Sequence, residues 1–150
     1  MFQRKNEQQA NLIINLKTDP TPVNNWVIKN HRHRRFMRFD SEKICCFISA
    51  DVSEVYFLKK LLRRFLLDAN VLDHLLKHQS LIPKSWTNFY IVFLGTVYVN
   101  RDGKHFARCL YNDGHQWLED ALCIEGVRKF NHKQKIPYIG FFSMLKLFRF

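Results

Sequence analysis

Apolar and polar positions change period twice along this chain, from extended to helical after Asp51 and back to extended at Phe89. Leu12-Ile13-Ile14-Asn15-Leu16 has strand composition and stops at the turn-rich Thr18-Asp19-Pro20-Thr21-Pro22. Trp26-Val27-Ile28, Phe36-Met37-Arg38-Phe39 and Ile44-Cys45-Cys46-Phe47-Ile48 read as further short strands, with Asp40-Ser41-Glu42-Lys43 linking the last two. The last three are expected to form a small antiparallel group. The polar residues 1–10 are expected to be a disordered tail.

Asp51-Val52-Ser53-Glu54 has capping-box spacing, and Val55, Leu58, Leu61, Leu62, Phe65 and Leu66 then recur at helical steps. Lys59, Lys60, Arg63 and Arg64 share the opposite face. Asn70 is expected to cap a second, shorter helix whose apolar side is Val71, Leu72, Leu75 and Leu76, with Pro83 fixing its end. The short joint Asp68-Ala69-Asn70 makes these an angled central helix pair.

From Phe89 to Val99 β-branched and aromatic residues dominate, and Gly95 marks a bulge or bend. Asn100-Arg101-Asp102-Gly103 reads as a hairpin turn, His105 to Tyr111 as the returning strand, and Asn112-Asp113-Gly114-His115 as a second turn. Trp117 and Leu118 begin a third strand that runs out near Ile124, completing a three-stranded antiparallel meander. The expected class is therefore α+β, with an N-terminal strand group, a helix pair, and a C-terminal meander curling toward a partly open barrel. Residues 11–126 are expected to form one domain, and residues 127–150 a basic and apolar C-terminal segment. Three readings of that segment stay open: a final packed element, a membrane-surface anchor with Lys146 and Arg149 at the headgroups, or sequence without a designed fold.

Composition fits a single core, since 47% of the 150 residues are hydrophobic and 14 are Phe. Charge is the outlying property, at a formal +11. Residues 1–69 carry 13 basic and 7 acidic groups, residues 70–123 carry 5 and 5, and residues 124–150 carry 6 and 1. The excess thus lies outside the best-patterned segment, in a layout that suits a polyanionic partner or a solvated surface. Four cysteines, Cys45, Cys46, Cys109 and Cys123, form no C-x-x-C, and no secretory signal is visible at the start. Reduced thiols and a cytoplasmic location are expected. The apolar run from Phe89 to Val99 is too short to span a bilayer as a helix.

His31-Arg32-His33-Arg34-Arg35-Phe36-Met37-Arg38-Phe39 is the densest basic stretch and has aromatics interleaved. A strand of this kind places arginines on phosphates while a ring stacks on a base. Phe36 and Phe39, three apart, point to opposite faces, so at least one belongs to the core. The candidate nucleic-acid-binding residues are Arg32, Arg34, Arg35, Phe36 and Arg38, extended along the helix by Lys59, Lys60, Arg63 and Arg64. His74 and His78 have metal-ligand spacing on one helix face, but the residue after His74 is Leu75 and not a general-base glutamate. Two solvated helix histidines are the plainer reading. Trp26, Trp86 and Trp117 are read as core anchors more readily than as a ligand cleft. No G-x-S-x-G, phosphate-cradling glycine loop or paired carboxylate in an apolar context is present, and Cys109, alternating with Ala107 and Tyr111, reads as packing more readily than as a partner of His105 or His115. No catalytic residue, metal site or cofactor is assigned.

Asn70-Val71-Leu72-Asp73-His74-Leu75-Leu76 followed by Leu81-Ile82-Pro83-Lys84-Ser85-Trp86 resembles a pattern in small uncharacterised bacterial proteins. There an N-V-L-D-x-L-L helix leads through L-I-P-x-x-W into G-T-[IV]-Y, a D-G turn, V-R-x-L-Y and a glycine turn ending in Trp. The later matches here are Gly95-Thr96-Val97-Tyr98, Asp102-Gly103, Ala107-Arg108-Cys109-Leu110-Tyr111, Gly114 and Trp117. This chain departs at Leu94, usually Trp in the pattern, and at Leu118-Glu119-Asp120-Ala121, where a Trp-rich strand is usual. The resemblance implies a bacterial origin and a shared fold, and carries over no functional residue. The leading functional expectation is a small non-enzymatic binding or accessory protein that contacts nucleic acid through a basic surface. The alternative is a protein–protein adaptor with incidental charge, and a metal-dependent enzyme comes third.

Overall fold

A computed structural model describes residues 12–21, 23–31, 36–48, 66–124 and 134–139. Among them are eight strands and one α-helix: β1 (Ile13–Asn15), β2 (Val27–His31), β3 (Phe36–Arg38), β4 (Ile44–Ile48), α1 (Ala69–Lys77), β5 (Tyr90–Val99), β6 (His105–Asn112), β7 (Trp117–Cys123) and β8 (Gln134–Ile139). The fold is mixed and mainly β. β1 and β3 make a two-stranded ribbon, while the other strands form one sheet in the order β4-β8-β5-β6-β7 with β2 also on β5. Among the described residues neither sheet closes into a barrel.

The N-terminal strands do not form one group either. β1 pairs with β3, β2 with β5, and β4 with β8. β2 takes the long strand β5, already packed on both faces, while the three-residue strands β1 and β3 pair with each other. The link Asp40–Lys43, partly a 3-10 turn, therefore joins two different sheets. β8 runs parallel to β5 and antiparallel to β4, so the segment 127–150 contributes an inner strand. The proposed helix over residues 51–65 and the chain beyond Ile139 lie outside the described residues.

Gly95 is the hinge of the sheet. Between Phe93↔Arg108 and Tyr98↔Phe106, five steps along β5 match two along β6, so β5 bulges there. Into the space comes the Leu66-Leu67 backbone: Gly95 N donates to Leu67 O (3.0 Å), and Leu67 N to Pro137 O (3.2 Å). A Cβ at Gly95 would stand 2.8 Å from Leu66 O. Only glycine admits that approach.

α1 begins at Asp68, not at Asn70. The Asp68 carboxylate accepts from Asn70 N (3.0 Å) and Val71 N (3.2 Å), as an N-cap must. Asn70, two residues past the cap, uses its amide elsewhere. The helix ends at Lys77, with His78 N donating to His74 O, and a 3-10 turn over Gln79–Leu81 follows; Pro83 leads into a second 3-10 turn, Lys84–Trp86, and does not terminate the helix. Nine residues are too few for a helix to stand alone. Burial of Val71, Leu72 and Leu75, each worth about 1.5–3 kcal/mol, outweighs the cap's contribution of about 1 kcal/mol.

The two sheet faces carry separate cores. On one, Ile91, Phe93 and Leu110 meet α1 and the ribbon residues Ile14, Leu16 and Phe39. On the other, Val92, Leu94, Ala107 and Cys109 meet Leu66 and Ile136. Burial on both sides explains why Ile91-Val92-Phe93-Leu94 is apolar without alternation. At the β6–β7 turn, Asp113 accepts from Gln116 N (2.9 Å) and His115 N (2.8 Å), which lowers its pKa.

Candidate nucleic-acid interface

In the ribbon, the register sets Ile13 opposite Arg38 and Asn15 opposite Phe36. Because side chains alternate, Ile14 and Met37 turn toward the core while Ile13, Asn15, Phe36 and Arg38 turn outward. Lys17, two residues beyond Asn15, continues the outward row. Phe36 is 61% exposed, whereas Phe39 is 2% exposed and packs with Ile14 and Leu16. Phe36 is therefore the surface ring and Phe39 the core ring.

The Lys17 ammonium stands 5.3 Å from the centre of the Phe36 ring. At an exposed site such a cation–π contact is worth about 0.5–1 kcal/mol. A stacked base is worth about 1–3 kcal/mol, so it would displace the ammonium, whose flexible stem then reaches a phosphate. Beside Arg38 opens a groove of about 440 Å³ lined by Asp40, Ser41, Glu42, Ser80 and Leu81 among others. Its two carboxylates repel an anion. The carboxylates thus stand on the Arg38 side of Phe36 and the Lys17 cation on the other.

Of the residues singled out in sequence, the ribbon brings together Phe36 and Arg38. Arg32, Arg34, Arg35, Lys59, Lys60, Arg63 and Arg64 lie outside the described residues. Lys17 and Ile13 were missed, although their two-residue alternation with Asn15 was a readable signal.

The chain around the basic stretch is anchored at both ends. At the end of β2, His31 Nδ1 meets Thr96 Oγ1 (2.8 Å) and His31 Nε2 meets Asn70 Nδ2 (3.3 Å). Asn70 Nδ2 also donates to Thr18 O (2.7 Å), and Thr96 Oγ1 accepts from Ala69 N (2.9 Å). Since Asn70 Nδ2 is a donor, Nε2 of His31 accepts and Nδ1 carries the proton. This network joins β2, β5, α1 and the turn after β1 immediately before Arg32.

A second polar junction joins three elements. Arg108, 1% exposed in the middle of β6, donates through Nη2 to Asp73 Oδ1 on α1 (2.6 Å) and through Nε to Glu119 Oε2 on β7 (2.9 Å). Asp73 also accepts from Thr21 N (2.8 Å). Burial acts to lower the Arg108 pKa, but the hydrogen bonds it donates to Asp73 and then to Glu119 outweigh it, and the net shift is upward. Tyr98 is close enough to interact with the guanidinium, yet its hydroxyl donates to Thr21 O (3.3 Å) and no partner among the described residues meets Arg108 Nη1. With Arg108 between them, the two carboxylates act as counter-ions.

The other candidates separate. The His74 and His78 rings lie 4.6 Å apart, and no group of three or more metal-ligating side chains occurs among the described residues. Cys109 is buried, and burial first, with the Asp120 carboxylate next, pushes its thiol up to about 12. Trp86 is buried in the α1 core, Trp117 packs at its edge, and Trp26 stacks on Phe106 with ring centres 4.3 Å apart. No described helix is long and apolar enough to cross a membrane. Compared with family models, curated proteins and solved structures, the chain has no match.

Proposed function

We propose that the chain is a small non-enzymatic binding protein that contacts nucleic acid through a basic surface centred on the β1–β3 ribbon. The observation that carries this reading is Phe36, 61% exposed on the same outward row as Arg38 and beneath Lys17. An aromatic ring flanked by cations matches the two features every nucleic acid presents, π-faces and phosphates. The surrounding sequence supports it, because Arg32, Arg34 and Arg35 directly precede Phe36. Lys59, Lys60, Arg63 and Arg64 extend the basic character. Binding of this kind rests on release of counterions by Lys and Arg, with the ring adding contact to a base.

A titration of mixed single- and double-stranded nucleic acid against salt tests the proposal. Affinity should fall steeply as salt rises, and the Arg34→Ala, Arg35→Ala double variant should bind more weakly. Absence of salt-dependent binding near physiological ionic strength would defeat it and leave the protein–protein adaptor as the better reading.

A further inference from the structure

Resting on that nucleic-acid reading, we infer that the ribbon selects single strands over duplexes by taking an unpaired base onto Phe36. In a duplex both faces of an interior base are already stacked, so the ring has nothing to receive without disrupting the helix. Reading a duplex through its groove requires hydrogen-bonding groups at base edges. Beyond Arg38, which sits at the end of the row beside the Asp40 and Glu42 carboxylates, the outward row offers few: Ile13 and Phe36 are apolar, and Asn15 Oδ1 already accepts from Lys17 N (2.9 Å).

Electrostatics points the same way. Asp40 and Glu42 bound the groove on the Arg38 side, while Lys17 lies toward the other end of the row. A duplex lays down two rows of phosphates and would bring one toward those carboxylates. A single strand has one row and can pass on the Lys17 side. Three residues per strand give the ribbon a length of about 10 Å, room for a local contact with the strand but not for an extended channel.

The test is fluorescence anisotropy with the full chain, using a short labelled oligothymidine and a labelled duplex of equal length. The oligothymidine should bind more tightly. Phe36→Ala should weaken it by roughly 5- to 150-fold, the range for loss of one stacked base, and change duplex binding by less than about twofold. Phe36→Trp should restore single-strand binding and Phe36→Leu should not, while the thermal midpoints of all three variants stay near that of the parent. Equal affinity for the two probes, or a preference that Phe36→Ala leaves intact, overturns the inference and leaves the nucleic-acid reading standing. Failure to bind either probe defeats that reading and the inference with it.

Discussion

Two arginines four residues from a strand end or less meet opposite fates in this protein. Arg108 is buried in β6 between Asp73 and Glu119, and Arg38 is exposed at the end of β3 beside the open ring of Phe36. The first cation is held by its own chain and ties α1 to the sheet. The second stands on an outward row, where an external anion can reach it. Charge count alone treats them alike; burial and pairing separate a structural charge from one open to solvent.

The largest effect should come from breaking the buried side. Arg108→Ala leaves Asp73 facing the sheet without its cation and should cost about 3–5 kcal/mol, read as a fall in the urea midpoint. Glu119→Gln should cost less than about 1 kcal/mol, because its side chain is 46% exposed. An Arg38→Ala loss as large as that of Arg108→Ala would erase the contrast. Next comes Gly95→Ala, which forces the Leu66-Leu67 backbone away from β5 and should cost about 1–3 kcal/mol or more. Asp68→Ala, which removes the cap of α1, should cost about 1 kcal/mol in the same assay.

Alkaline pH probes the buried side without mutation. The Cys109 thiol, pushed from 9.0 up to about 12, and the Tyr98 phenol, also raised by burial, stay neutral in the fold while the unfolded chain ionises. Their contribution is therefore fully present below about pH 9 and is lost as pH rises toward the folded values. For Cys109 the loss is up to about 1.4 kcal/mol per pH unit within that window. Urea midpoints should fall across it, and less steeply in Cys109→Ala.

How much of this was legible follows from the range of the interactions. The strands and turns from Phe89 to Trp117 are local patterns, and Gly95 announced its bulge by interrupting an apolar run. The cap was misread because Asp68 and Asn70 both suit that position, and only the use of Asn70's amide by Thr18 and His31 decides between them. Pairing partners of the short N-terminal strands depend on contacts far along the chain, and β8 contains Pro137, which has no N–H to give to a ladder. At the candidate site, alternation put Phe36 and Phe39 on opposite faces but did not say which was core; burial makes Phe39 the core ring. Lys17 belongs to the same surface across a strand pairing that composition does not encode. Asp73, Arg108 and Glu119 meet from three elements, and an arginine within Phe106-Ala107-Arg108-Cys109-Leu110 was the lone hint.

The outward row is tested most directly by the salt dependence of binding in Lys17→Ala. With labelled oligothymidine between about 50 and 200 mM salt, removal of one phosphate contact should flatten the slope of log affinity against log salt by about 0.7. The unfolding midpoint should stay within about 0.5 kcal/mol of the parent. An unchanged slope and affinity would contradict the assignment of this face as the contact surface.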